Sequence, residues 1–272
     1  MRPSGSEGAS MRNTGGTRAL FVGAALVATI LFAAAPSLAQ WRTPWSYKEG
    51  PNGPEHWGDI DPDYAACKTG TTQSPIDITH RTKAVLPPLQ FAFRSGPVRI
   101  VNNGYTAVRV DYEPGNLNTL TIGARRYELT QFHFHHPSEE ELDGKRFDMN
   151  AHIMLKGDDG KIIGVSVFLK AGRGNAAVAK LWAHMPTVKG PPHDAPGLTV
   201  DPGDLLPSSL GYDLYTGSIS APPCNADVVW YVLKTPVEVS RAQIDAFAKL
   251  YPHDVRPLQP LNGRVVQESE ND

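Results

Sequence analysis

The chain has no surplus of basic residues. It carries 26 Lys and Arg against 28 Asp and Glu, for a formal net charge of −2 at pH 7, and it contains no basic patch and no RNA- or DNA-binding motif. A mildly acidic chain binds the phosphate backbone poorly, so nucleic-acid partners are excluded. It also lacks internal repeats, low-complexity segments and internal linkers, and its length suits one domain with a sizeable core.

Long apolar runs are scarce as well. The single candidate, 19–35, follows Arg12 and Arg18 and precedes Pro36-Ser37-Leu38-Ala39. A basic stretch, an apolar stretch and a small-residue cleavage site predict a signal peptide over residues 1–39 and one domain over 40–272. The mature chain then has no membrane span and is periplasmic or secreted. An uncleaved anchor is the alternative, because a run of 17 residues is long for a signal peptide.

Cysteine is nearly absent. With only Cys67 and Cys224 in the chain, a single intramolecular pairing is available. Export to an oxidising compartment favours a disulfide between them, and two buried free thiols are the alternative.

Short apolar and alternating segments predict a fold built mainly from strands, with few helices. Asn175 is a candidate N-cap for a helix reaching about His184, and Ser240 with Gln243 forms a candidate capping box for a second helix. The Pro- and Gly-rich stretch 186–207 is interpreted as a long surface loop. Predicted strands include 119–122, 131–135, 148–155, 161–169 and 228–233.

The segment QFHFHH, residues 131–136, is the most informative in the chain. Side chains alternate faces along a strand, so Gln131, His133 and His135 share one face. Downstream, Asp143-Gly144 is a strong two-residue hairpin signal that would place His135 opposite His152. Three imidazoles on one face suit a tetrahedral metal and leave its fourth position open, as in a catalytic zinc site. The alternative interpretation of an isolated H-x-H is a pair of ordinary strand histidines without a metal. The third histidine, His152, favours the interpretation as a metal site.

Several separate motifs occur in order along residues 41–266. They are Trp45-Ser46-Tyr47, Gly53-Pro54-Glu55-His56-Trp57-Gly58, Gln73-Ser74-Pro75-Ile76-Asp77, QFHFH with Pro137-Ser138-Glu139, YTGSISAPPC at 215–224, Trp230 and RPLQPLN at 256–262. Together they resemble the α-class carbonic anhydrases in their exported bacterial form. The resemblance implies a mainly β (α+β) fold, with one domain built on a large, twisted, mostly antiparallel central sheet and short peripheral helices.

The resemblance also implies an activity, the reversible hydration of carbon dioxide to bicarbonate and a proton by a zinc-bound hydroxide. His133, His135 and His152 would hold Zn²⁺, while Ser220 and Glu139 would orient the hydroxide. Outside this set, Gln131 and Asn150 would support the ligands, and Cys67–Cys224 would pin the loop that carries Ser220. The substrate pocket would be formed by Ile219, Val228, Trp230 and Met154.

The sequence departs from the family pattern at several of these positions. Ser220 stands where threonine is usual, and Asn150 stands where a glutamate usually accepts a ligand histidine's N–H. An amide oxygen can accept the same bond without the charge. Met154 and Gly164 occupy positions that usually hold small branched apolar residues. We therefore expect Met154 to narrow the substrate pocket and Gly164 to open it.

Proton export is also expected to be slow. Tyr105 follows Asn-Asn-Gly, where fast family members have a histidine, and a phenol with a pKa near 10 is a poor relay at pH 7. Glu140 and Glu141 are interpreted as solvated turn acids, and the backbone carbonyl of Asp254 is expected to support a ligand. The alternative function is that of a weakly active or inactive zinc-binding or interaction protein of the same family.

Overall fold

The computed structural model describes residues 44–106 and 108–270. The predicted leader therefore lies outside the described residues. Among those residues no helix has the length and apolar character needed to span a membrane.

The described residues form fourteen strands. They are β1 (Asp77–Ile78), β2 (Thr82–Ala84), β3 (Leu89–Ala92), β4 (Gly96–Val101), β5 (Arg109–Asp111), β6 (Thr119–Ile122), β7 (Arg125–His135), β8 (Glu141–Leu142), β9 (Met149–Gly157), β10 (Ile162–Ala171), β11 (His193–Val200), β12 (Tyr212–Ser218), β13 (Ala226–Val239) and β14 (Gln267–Ser269).

One large sheet of 12 strands dominates the described part of the chain. Its main path runs β11-β4-β5-β7-β9-β10-β13-β12-β14-β2, and β6, paired with β3, joins it at β7. Only the β10–β13 and β14–β2 pairs are parallel in this sheet. The prediction of a mainly β fold with a large, twisted, mostly antiparallel sheet is confirmed.

The central strands β9 and β10 are buried on both faces along most of their length, and β7 and β13 lie on either side of them. On one face, Phe132, Phe134, Ile153 and Val165 enter the larger apolar core. On the opposite face, the alternating positions bring His133, His135 and His152 together beside a smaller apolar cluster that contains Met154, Phe168, Val228 and Trp230. The period of two along each strand thus separates the packing face from the face that carries the candidate site.

Short helices lie around this sheet: α1 (Trp57–Ile60), α2 (Ala66–Thr69), α3 (Ala176–Trp182) and α4 (Arg241–Ala248). Both predicted N-caps are confirmed. The Asn175 side chain accepts from the Val178 N–H, and Ser240 and Gln243 form a reciprocal capping box. These bonds satisfy backbone donors that the first turn of a helix leaves unpaired.

The interpretation of 186–207 as a long loop is wrong. This stretch contains the edge strand β11 and a 3₁₀ helix at Pro202–Leu205. Strand β11 pairs with β4 with a register shift between Asp194 and Thr199. The prolines and glycines that predicted a loop are accommodated because an edge strand leaves one side of its backbone unpaired.

Candidate active site

The three histidines come together because β7 and β9 are adjacent antiparallel strands. His133 lies directly opposite His152, and His135 lies opposite Asn150. The predicted pairing of His135 with His152 is therefore wrong by two residues. The Asp143-Gly144 turn does form, with φ of 50° and 72°, but it closes the short Leu142–Lys145 bridge. The segment from His135 to Leu142 is two residues longer than the segment from Lys145 to Asn150. The register of β7 on β9 therefore shifts by two residues, and the histidines stay on the same face of the sheet.

The histidine nitrogens have the spacing that a metal ion requires. One nitrogen from each ring lies within 4.8 Å of the others, and the Nε2 atoms of His133 and His135 are 3.0 Å apart. Tetrahedral zinc with Zn–N bonds of about 2.0 Å needs nitrogens separated by roughly 3.3 Å. Three imidazole nitrogens in a buried site are a donor set that suits zinc.

Burial keeps two of these imidazoles neutral. Removal from water, together with the neighbouring histidines, lowers the pKa of His133 well below its usual value. Burial is also the main reason why the pKa of His135 is lowered to about 3. At neutral pH both rings therefore present unprotonated nitrogens, which is the form that coordinates a metal.

The second ring nitrogen of each of these histidines is held by a neutral acceptor. His133 Nδ1 lies 2.8 Å from Gln131 Oε1, and His135 Nδ1 lies 2.7 Å from the backbone oxygen of Asp254. Both contacts place the ring proton on Nδ1 and turn Nε2 toward the shared space. Gln131 and the Asp254 carbonyl, both predicted to support ligands, therefore contact His133 and His135.

His152 has a different environment, which sequence reasoning missed. Its Nε2 lies 2.8 Å from Asn150 Nδ2 and 3.3 Å from Glu140 Oε2. Burial lowers the pKa of His152, but the charge and hydrogen bond of Glu140 outweigh burial, and the net pKa is raised. Glu140 is fully buried, so its interpretation as a solvated turn acid is wrong. No local pattern could have found it, because its burial depends on strands β9 and β10 packing beside it.

Glu139 lies next to the triad. Its Oε1 accepts from the Arg256 backbone N–H at 3.0 Å, and its Oε2 lies 3.8 Å from His135 Nε2 and 3.9 Å from His152 Nδ1. Among the described residues Oε2 has no hydrogen-bond partner. Burial raises the pKa of Glu139 to about 7, while the nearby His152 and the Ser220 hydroxyl oppose the rise. The carboxyl therefore lies between two metal-ligand candidates and the predicted hydroxyl.

The loop that carries Ser220 is fixed at its far end. A disulfide joins Cys67 to Cys224, and the Cys224 carbonyl accepts from Gln73 Nε2 at 3.1 Å. The buried Arg256 guanidinium donates to the Cys67 carbonyl at 2.8 Å and to Gln73 Oε1 at 2.7 Å. The predicted disulfide is thus present. It ties the Ser220 loop to Cys67, whose carbonyl accepts from Arg256, and the backbone N–H of Arg256 donates to Glu139.

The triad opens into a cavity of about 410 Å³. Met154, Ile219 and Trp230, three of the residues predicted for a substrate pocket, belong to its apolar lining, and Ser220 and Ala221 also line it. Val228 does not line the cavity: it packs behind Trp230 in the smaller core cluster. The polar part of the wall is formed by Asn103, Tyr105, Thr106, Arg109 and Gln131.

Tyr105 is held at the side of this cavity by its neighbours. Its ring stacks on Trp45 with centroids 3.8 Å apart, and Lys189 Nζ lies 5.5 Å from the ring centroid. Burial raises the pKa of the phenol above its usual value of 10.0. Apart from the histidine triad, the described residues that line the cavity include no imidazole or carboxyl.

Contrary to the expectation from the sequence, Gly164 does not open the pocket. The Trp230 ring fills the space above it, and a Cβ at residue 164 would lie 2.5 Å from two ring carbons. Gly164 pairs with Met154 on one side and Trp230 on the other. The glycine therefore lets the indole lie across strand β10 and reach His152, where the ring centroids are 4.6 Å apart.

The chain is similar to known proteins over most of its length. The profile of the family described as eukaryotic-type carbonic anhydrase matches residues 52–270. The carbonic anhydrase of Pectobacterium carotovorum is 41% identical over 223 residues, covering 82% of this chain and 89% of that protein. That of Pectobacterium atrosepticum is 39% identical over 241 residues, covering 88% and 97%. The α-carbonic anhydrase of Thermovibrio ammonificans, solved with the inhibitor sulfanilamide, is 40% identical with a TM-score of 0.78, covering 82% of this chain and 98% of that one.

Proposed function

This chain belongs to the eukaryotic-type, or α-class, carbonic anhydrases, and we propose that it is a zinc enzyme that hydrates carbon dioxide reversibly to bicarbonate and a proton. The observation that carries the proposal is the convergence of three histidine nitrogens, within 4.8 Å of one another, at the floor of a half-apolar cavity. Membership of the family makes the chain a carbonate dehydratase. The metal, the mechanism and the fate of the proton are the proposed part.

His133 and His135 would hold zinc through Nε2, and His152 through Nδ1. Each assignment follows from the partner that occupies the other nitrogen of the ring. A zinc ion held this way lowers the pKa of a coordinated water to about 7, which supplies a nucleophile at neutral pH. Met154 and Trp230 would offer carbon dioxide an apolar surface next to this point.

Ser220 and Glu139 would orient the attacking oxygen. In the loaded enzyme the carboxylate of Glu139 would accept the Ser220 hydroxyl proton, so the serine oxygen would act only as an acceptor toward the nucleophile. This acceptor would help to orient the nucleophile toward the carbon of the substrate. Serine lacks the methyl group that restricts the rotamers of threonine, so this arrangement is less rigid than the family's usual one.

The proton released in each turnover must leave through the cavity. Attack by water on carbon dioxide forms one C–O bond and yields bicarbonate and H⁺, so the site must lose a proton before the next cycle. Tyr105 stands at the relay position with a pKa raised above 10.0. Proton export is therefore the slow step, and a small diffusible base should accelerate turnover.

Stopped-flow hydration of carbon dioxide by zinc-quantified protein tests the activity. His135→Ala should lose both zinc and activity. His136→Ala is the matched control, because His136 follows the last residue of β7 and its Nδ1 contacts the Pro252 carbonyl at 2.9 Å rather than the triad, so it should retain both. Stoichiometric zinc in the unmodified protein without hydration above the His135→Ala background would contradict the proposal.

Imidazole buffer tests the proton step. At saturating carbon dioxide we expect the rate to rise with imidazole concentration at fixed pH and ionic strength, while kcat/KM stays constant. A rate independent of buffer would show that Tyr105 does not limit turnover.

Export to the periplasm or the medium completes the proposal. It is supported by the basic and apolar segment at 12–35 and by the disulfide between Cys67 and Cys224, since such bonds persist in oxidising compartments. Fractionation of expressing cells, with mass spectrometry of the mature N-terminus, tests it. An N-terminus after residue 39 would support the predicted cleavage, and an intact chain in the cytosol would contradict export.

A further inference from the structure

The third histidine of the triad has a buried carboxylate beside its non-ligand nitrogen, whereas the first two have neutral acceptors. Three groups converge on Glu140 Oε2: Asn150 Nδ2 at 2.8 Å, Ser166 Oγ at 2.9 Å and His152 Nε2 at 3.3 Å. Glu140, Asn150 and Ser166 are each fully buried. All four side chains belong to one water-excluded cluster beneath the cavity.

The amide of Asn150 cannot accept the His152 proton in this cluster. Its Oδ1 faces the Glu139 backbone N–H at 3.3 Å, and its Nδ2 lies against the Glu140 carboxylate. Rotating the amide by 180° would put an oxygen 2.8 Å from a carboxylate oxygen and an NH₂ against a backbone N–H. Asn150 therefore presents a donor to His152, and the expectation that its oxygen accepts from this histidine is wrong.

A donor and an acceptor thus compete for the same nitrogen of His152. If the Asn150 amide donated to Nε2, the imidazole proton would sit on Nδ1 and block the atom that faces the metal position. When Glu140 accepts from Nε2–H, Nδ1 is left unprotonated. Among the described residues, Glu140 is the one acceptor that contacts Nε2.

We propose that Glu140 is the positioning residue for His152: its carboxylate selects the tautomer with Nδ1 free and makes that nitrogen a stronger zinc ligand. This inference rests on the zinc site of the proposed function. Glu140 supplies here the charged acceptor that residue 150 lacks in this chain. A charge-assisted hydrogen bond in a dry cluster is stronger than a neutral one, and it increases the basicity of the ligand.

The unused oxygen of Glu140 argues against a role in stability alone. Its Oε1 has no hydrogen-bond partner among the described residues, although the side chain is fully buried. A half-satisfied buried carboxylate is costly to the fold. Replacing it by an amide should therefore leave the metal-free protein at least as stable, while the metal site becomes weaker.

The rate of zinc release separates these roles without any measurement of catalysis. Zinc-loaded protein is mixed with excess chelator, and release is followed with a metallochromic dye. We expect Glu140→Gln to release zinc about 10–100-fold faster than the unmodified protein. Glu141→Gln is the matched control, since this neighbouring acid pairs with Arg146 Nε at 2.7 Å and should leave release unchanged.

A rescue variant makes the test specific. Residue 150 lies two positions before His152 on the same face of β9, so Asn150→Glu in the Glu140→Gln background returns one carboxylate to Nε2 and should slow release again. The visible spectrum of the cobalt-substituted protein should change in Glu140→Gln and return in the double variant. If Glu140→Gln does not fold, Glu140→Asp, which withdraws the carboxylate by one methylene, gives the same comparison.

The outcomes are distinct for the two proposals. Release at the unmodified rate from Glu140→Gln, or a double variant that releases zinc as fast as Glu140→Gln alone, would overturn the role of Glu140. Faster release accompanied by an equal loss of stability in the metal-free protein would also overturn it, in favour of a structural role. Unmodified protein that retains zinc but does not hydrate carbon dioxide would contradict only the proposed function.

Discussion

Gly164 offers a sharp test of the packing behind the candidate site. It lies in β10 between Met154 and Trp230, and a Cβ added there would meet the Trp230 ring at 2.5, 2.5 and 2.9 Å. Carbon atoms in contact need about 3.5 Å or more. The indole would have to move by roughly 1 Å. It has little freedom to do so, because its Nε1 donates to the Ser218 carbonyl at 2.9 Å and its ring packs on His152.

The substitution Gly164→Ala should therefore destabilise the protein. Overpacking of a well-filled core costs about 1–3 kcal/mol. Against this, replacing glycine by alanine at a compatible position gains about 0.4–1 kcal/mol through the unfolded state. Gly96 supplies that comparison: it opens the strand β4, and a Cβ there would have no neighbour within 4 Å. We expect Gly96→Ala to be neutral or slightly stabilising, and Gly164→Ala to be less stable by about 1–3 kcal/mol.

Urea unfolding of metal-free protein, followed by tryptophan fluorescence, measures both effects without a contribution from bound zinc. The m-values should match that of the unmodified protein, so that a change in midpoint reports stability. If Gly164→Ala unfolds at the same urea concentration as Gly96→Ala, then the Trp230 ring is free to move and the packing argument is incorrect.

Three further predictions concern the disulfide, the relay position and the hydroxyl. Replacing Cys67 and Cys224 by serine should lower the free energy of unfolding by up to about 5 kcal/mol, since the bond joins residues separated by 157 positions; equal urea midpoints with and without reductant would contradict this. Tyr105→His should raise the hydration rate in weak buffer and reduce the effect of added imidazole, and an unchanged rate would exclude Tyr105 as the limiting position. Ser220→Ala should keep stoichiometric zinc but lower the hydration rate by about 100-fold, with Ser220→Thr as the control that retains activity.

The arrangement of acids around the triad shows why some site residues were invisible in the sequence. Glu139 and Glu140 are adjacent, yet Glu139 faces His135 and Glu140 faces Asn150 and Ser166. Adjacent acids before a turn are typical of solvated positions. Only the packing of β9 and β10 against this segment reveals that both are buried, and only the hydrogen bonds of Asn150 show which one can accept the proton of His152.

The sequence by itself determined the features that depend on local geometry. Strand periodicity put His133 and His135 on one face, the Asp143-Gly144 pair formed its turn, and the side chains of Asn175 and Ser240 capped their helices, because each depends on neighbours within a few residues. The hairpin signal brought His152 to the same face as these two histidines, and the resemblance to the family implied the roles of Ser220 and Glu139.

The tertiary structure decided what depends on distant parts of the chain. The register of β7 on β9, the conversion of 193–200 into an edge strand and the contact of His135 with the Asp254 carbonyl all depend on such partners. His135 and Asp254 are 119 positions apart. The burial of Glu140 also depends on distant parts of the chain. A carboxylate is exposed or buried according to which strands pack against it, and no local sequence pattern contains that information.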